Sequence, residues 1–191
     1  MTRLPKPFKP TKEQLAAAVN ETTPDLIAPN LNVLFVGINP GLYSAATHRH
    51  FARPGNRFWP ALLAGGFTDR LFSPFESEKL LERGYGITNI VRRATNAADE
   101  LTKDELLRGA KILVRKVKKF RPKIVAILGV GSYRTAFTRP DAKVGRQDEK
   151  IGDSIVWVLP NPSGLNAHFI PSQLATVFRE LKLESDRLAQ R

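Results

Sequence analysis

Apolar residues gather in four short runs along the chain: 31–36 (LNVLFV), 86–91 (GITNIV), 123–128 (KIVAIL) and 155–159 (IVWVL), each followed by a polar or glycine-rich break. Runs of this length and character predict buried strands. Between the second and third, at 102–120 (TKDELLRGAKILVRKVKKF), the period changes. Leu106, Leu107, Ile112, Leu113, Val117 and Phe120 recur at helical spacing behind a Thr102/Glu105 capping-box pair, which predicts a long amphipathic helix. Its last turns carry Arg115, Lys116, Lys118 and Lys119, which complement the negative end of the helix dipole and read as a solvated face. A shorter helix is expected over 11–20 (TKEQLAAAVN). Strands alternating with helical segments predict an α/β fold, a mainly parallel central sheet with helices on both faces. The expected organisation is one domain over 11–191, preceded by an unpacked basic arm at 1–10 whose three prolines preclude a helix.

Sites in such folds gather at the carboxyl ends of the strands, which directs attention to the loops 37–55, 92–101, 129–133 and 160–169. In the first, GINPGLYSAATHRHFARPGNRFWP, glycines permit tight turns while Pro40 and Pro54 fix dihedrals and remove donors. Asn39 is thereby held at the mouth of a strand, where an amide can orient a water molecule or bond a base edge. Asn-Pro-Gly is also a common turn sequence, and closing a turn is the plainer role. The fourth loop, LPNPSGLNAHF, stiffens an apolar Leu165 between polar residues. A side chain that enters a base stack needs such a mount, and packing against the next helix is the alternative.

Net charge changes the picture. A formal +12 with a pI near 10.3 creates a field that attracts a polyanion, and nucleic acid is the commonest such partner. Cysteine is absent, which excludes disulfides, thiolate metal sites and a cysteine nucleophile and fits a reducing, cytoplasmic interior. No secretory signal or membrane-spanning run is visible, and a monomer is expected. His48, His50 and His168 do not follow a metal-ligand spacing and suit phosphate contact better. Gly129-Val130-Gly131 lacks the third glycine of a dinucleotide fingerprint, so neither metal nor organic cofactor is expected. Trp59 and Trp157 are assigned to the core.

The pair GINPGL and LPNPSGL, with FARPGNRFW and GITNIV between them, resembles the mismatch-specific uracil and thymine DNA glycosylases over about residues 33–181. The resemblance implies a uracil-DNA-glycosylase-like fold and hydrolysis of the N-glycosidic bond of a uracil-type or mismatched pyrimidine flipped out of DNA. It implies that Asn39 positions the attacking water and Phe51 stacks on the base. It further implies that Ile38, Tyr43, Ser44, Asn161 and Ser163 line the base pocket, and that Gly164, Leu165 and Asn166 form a wedge, with His168 beside it. Neither motif holds a lysine for a Schiff base, so the reaction should stop at an abasic site. Better-known bacterial relatives carry small or apolar residues where this chain has His48, Arg49 and His50, which adds positive charge at the expected pocket rim. Since an amide is a poor general base, Asp99, in the loop after GITNIV, is the candidate carboxylate. The alternatives are a non-catalytic module that binds damaged nucleic acid and, more distantly, a hydrolase of free nucleotides.

Overall fold

The computed structural model describes residues 8–164 and 169–190. Helix α1 (Lys12–Ala17) leads to β1 (Val33–Gly37), α2 (Leu42–Thr47), α3 (Phe58–Ala64), α4 (Lys79–Glu82) and β2 (Tyr85–Asn89). Then follow α5 (Lys103–Phe120), β3 (Ile124–Leu128), α6 (Val130–Phe137), β4 (Gly145–Ile151), β5 (Ser154–Leu159) and α7 (Pro171–Ala189). The sheet order is β2-β1-β3-β5-β4, with β4 alone antiparallel. All four expected strands and both expected helices are present, within a few residues of their expected limits.

The β1 residues are buried on both sides because each pleat face meets a helical layer. Phe35 points into an aromatic-rich core with Phe58, Leu62, Phe67 and Phe178, so α3 and α7 cover this face. Leu34 and Val36 point the other way, into a core with Leu113, Val117, Val125, Ile127 and Tyr133, beneath α5 and α6. Trp59 and Trp157 lie in the first of these cores, as expected. Strand β4 was not foreseen. Its sequence GRQDEKI alternates between exposed and half-buried positions at the sheet edge, where charged residues protect an unpaired ladder and leave no apolar run to detect.

The long helix opens as read, with Thr102 Oγ1 accepting from Glu105 N and the Glu105 carboxylate accepting from Thr102 N. The end of the expected basic arm departs from expectation. Pro10 is buried and the Phe8 ring meets Phe75 edge-on at 6.2 Å, because the turn at Pro74–Glu76 offers that apolar residue a partner. Among the described residues no helix is long and apolar enough to cross a membrane.

Candidate active site

The segment leaving β1 is tied to the segment leaving β2 along its length. Ile90 N donates to Gly37 O, Val91 N to Ile38 O and Thr95 N to Pro40 O, so the parallel pairing extends beyond the strands themselves. After α2 the chain reverses through two left-handed residues, His48 (φ 53°) and Phe51 (φ 53°). This conformation is uncommon without glycine and persists where surrounding contacts enforce it. At Phe51 the enforcing contact is a stack on Phe58, with ring centroids 4.1 Å apart and planes inclined by 26°.

These elements surround a cleft of about 220 Å³ at the carboxyl ends of the strands. Ile38, Asn39, Ser44, Phe51, Asn161 and Ser163, six of the expected site residues, line it together. The floor is tight: a Cβ on Gly37 would lie 2.5 Å from Asn89 Oδ1 and 3.3 Å from the Phe51 ring, so glycine there lets both groups close on the cleft.

Asn39 is wired from behind. Its Nδ2 donates to Arg93 O at 3.1 Å and to Thr95 Oγ1 at 2.7 Å, and the Thr95 hydroxyl donates onward to Ala97 O at 2.7 Å. A carbonyl oxygen only accepts, and Thr95 has its one proton committed to Ala97, so the amide cannot flip without setting acceptor against acceptor. With both amide protons held by the wall, Oδ1 is the atom that Asn39 can offer to the cleft. Arg93 is fixed in turn by Glu105, which takes its guanidinium on both carboxylate oxygens. This pairing, chiefly the hydrogen bond from Arg93, holds the Glu105 carboxyl down to about 2.

His50 also lines the cleft, and here the structure corrects an expectation. The ring is buried, its Nε2 lies 2.9 Å from Pro24 O, and burial pushes its pKa down to about 4. Because the carbonyl can only accept, Nε2 carries the proton, the ring is neutral near pH 7, and the expected charge at the rim is missing. Arg49 is likewise turned away, to Glu78 at 2.8 Å, while His48 is exposed as the C-terminal cap of α2.

Two expected residues stand outside the cleft lining. Tyr43 precedes Ser44 on α2, and consecutive helical positions point about 100° apart, so burying Ser44 at the cleft turns Tyr43 elsewhere. Asp99 is exposed on the short turn Ala98–Glu100, whose preceding residues Asn96 and Ala97 and first residue Ala98 do reach the cleft. Leu165, Asn166 and His168 lie outside the described residues. Gly164 stands at the edge of the fourth loop, where a Cβ would come within 2.5 Å of Gly55 O.

Sequence reasoning passed over Asn89, Thr95, Asn56 and Arg57. Asn89 is a polar residue at the carboxyl end of an apolar run, which is the signal that could have found it. Asn56 lines the cleft while its Oδ1 accepts from Phe58 N at the start of α3. Arg57 joins the two motif loops: its backbone N donates to Pro162 O, Nη2 to Gly164 O at 3.2 Å and Nη1 to Phe169 O at 2.8 Å. It thus fastens both ends of the stretch that contains Leu165.

Among the described residues no group of three or more His, Asp or Glu side chains comes together as a metal site. A larger cavity, about 470 Å³, lies at the opposite end of the sheet, remote from all of this.

In three dimensions the chain is similar to the solution NMR structure of a provisionally assigned uracil DNA glycosylase from Methanosarcina acetivorans, with a TM-score of 0.59 and 18% sequence identity over 86% of this chain and 99% of that one. At that identity the likeness speaks for the fold. A sequence profile of the uracil DNA glycosylase superfamily matches residues 24–182, a span that holds β1 to β5 and both loops of the cleft. The chain belongs to the uracil DNA glycosylase superfamily.

Proposed function

We propose that this protein is a DNA repair glycosylase that flips uracil, and also thymine or a modified pyrimidine opposite guanine, out of DNA and hydrolyses the N-glycosidic bond to leave an abasic site. The observation that carries this reading is the fixed amide of Asn39 beside the stacked ring of Phe51 in a cleft sized for one small ring. Bond cleavage builds positive charge on the sugar and negative charge on the departing base, so the site must place a water on one side and polar groups around the other. Asn39 Oδ1 accepts a hydrogen bond from that water and so aims its lone pair at the anomeric carbon.

Phe51, backed by Phe58, presents a face to the base, and such stacking contributes roughly 1–3 kcal/mol. Ser44, His50, Asn89, Asn161 and Ser163 surround the base with hydrogen-bonding groups. No lysine lines the cleft among the described residues, which favours simple hydrolysis over a Schiff base. Leu165, with Gly164, Asn166 and His168, serves as the wedge and flank on the loop that Arg57 fastens. Extrusion costs a few kcal/mol, and a wedge filling the vacated space offsets part of it. Asp99, away from the cleft lining, leaves water orientation to Asn39.

The test is base release from oligonucleotides carrying uracil opposite guanine, opposite adenine, or in a single strand, with alkali used to break the abasic product. Release from all three, fastest where the base is mispaired or unpaired, supports the reading. Duplex binding with no release from any of them returns the chain to a damage-binding module.

A further inference from the structure

The cleft uses few of the chain's cations. Among the described residues, Arg53 is the one basic residue that lines it apart from the neutral His50. Most of the excess charge sits elsewhere: no Asp or Glu occurs between Glu105 and Asp141, a stretch that holds all but the first turn of α5. The helix sorts its basic residues into two sets. Lys116 turns inward, its Nζ 2.5 Å from Asp25 Oδ2 and 2.7 Å from Thr88 Oγ1. Arg108, Lys111, Arg115, Lys118 and Lys119 are exposed, and none of them takes part in an ion pair among the described residues.

Steps of three and four residues place these five in one row along the helix, which rises about 16 Å from Arg108 to Lys119. The row continues past the helix end at Arg121. Lys123 and Lys150 extend it around the 470 Å³ cavity, whose single carboxylate among the described residues is Asp153. Because α5 begins at the end of the sheet that carries the cleft and finishes at the other, the row leads down the side of the molecule away from the cleft.

We propose that this row is a second nucleic-acid surface, which holds the phosphate backbone of a duplex independently of the base cleft. The proposal rests on the reading of the protein as DNA-binding. Protein interfaces bury apolar anchors at their centre and deplete lysine there, whereas a phosphate backbone asks only for cations. Here Ile112, 43% exposed, is the sole large apolar side chain within the row, and basic side chains flank it. Charge without an apolar centre favours nucleic acid over an acidic protein. A protein held by this face keeps its cleft free for another stretch of DNA.

The experiment measures the affinity of the whole chain for a uracil-free duplex over a range of salt. It compares the parent with Lys111→Gln/Arg115→Gln/Lys118→Gln and with Lys9→Gln/Lys12→Gln/Lys143→Gln, which removes equal charge elsewhere. Each lost phosphate contact makes the slope of log affinity against log salt shallower by about 0.9, so the first variant should lose about 3 and the second little. Equal changes in the two variants would reduce the effect to net charge and overturn the proposal. So would an unchanged first variant, or one that keeps duplex affinity but loses binding to polyglutamate, which would assign the face to an acidic protein. If the first variant melts well below the parent, Arg108→Gln/Lys119→Gln repeats the measurement with the same criteria. Base release is not the readout. A chain that releases uracil normally but shows no slope change loses only this surface, and one that shows the slope change without releasing base loses only the glycosylase reading.

Discussion

The two loops that meet at the cleft are held in different ways. The loop after β1 is fixed throughout: its backbone pairs with residues 90–95, its reversals use left-handed residues, and its amide at Asn39 has both protons committed. In the loop after β5, the described residues Pro162, Gly164 and Phe169 each give a carbonyl to a single residue, Arg57. The first arrangement suits a group that must meet a reacting water in one geometry, since small misplacements cost rate heavily. The second makes the placement of the described part of that loop depend on one arginine.

That contrast can be broken at chosen points. Among changes that leave Asn39 itself in place, the largest effect is expected from Arg57→Ala, which removes the charge-assisted hydrogen bonds to Gly164 and Phe169 of the second loop. Base release should fall roughly tenfold from uracil opposite adenine and much less from single-stranded DNA, because the proposed wedge role of Leu165 matters where a paired base must be held out. Single-turnover rates on the two substrates check this, and an equal loss on both would place Arg57 in general folding instead.

A smaller effect is expected from Glu105→Gln, which frees the Arg93 side chain behind Asn39. The single-turnover rate should drop about fivefold with duplex affinity unchanged, a split that simple destabilisation would not produce. The smallest effect on rate is expected at His50. Between pH 6.5 and about 4 the unfolded chain binds a proton that the buried ring refuses, so stability falls as pH drops through this window. The contribution reaches about 2 kcal/mol by about pH 5. Melting curves at about pH 7.5 and about pH 5 should therefore show a steeper loss for the parent than for His50→Gln, with the two converging in slope above pH 7.

The parallel strands were legible because burial on both faces forces continuous Val- and Ile-rich runs, and the long helix because its capping pair and period agree. Strand β4 was hidden because a protected edge is written in charged residues. Within the cleft, Asn39 was legible through a stiff local motif, and Phe51 and Asn161 through the family resemblance of the segments that carry them. The partners of Asn39 were not, since Arg93 and Thr95 stand 54 and 56 residues away and come to it only through the pairing of β1 with β2. The same distance problem inverted the reading of His50, whose neutrality comes from burial that no local pattern reveals and prevails over the opposing pull of Pro24 O, 26 residues back. Asp99 was chosen from its place in a loop and Tyr43 from the family resemblance, and neighbouring positions line the cleft instead.

The proposed role of the wired amide of Asn39 lies in the chemical step and not in the grip on DNA. It is tested most directly by measuring, on one duplex with uracil opposite guanine, the single-turnover rate and the dissociation constant of the parent and of Asn39→Ala. The rate should fall on the order of a hundredfold or more, as for loss of a group that orients the attacking water, while the dissociation constant stays within about twofold. An unchanged rate, or a loss of affinity that accounts for the loss of rate, would contradict it.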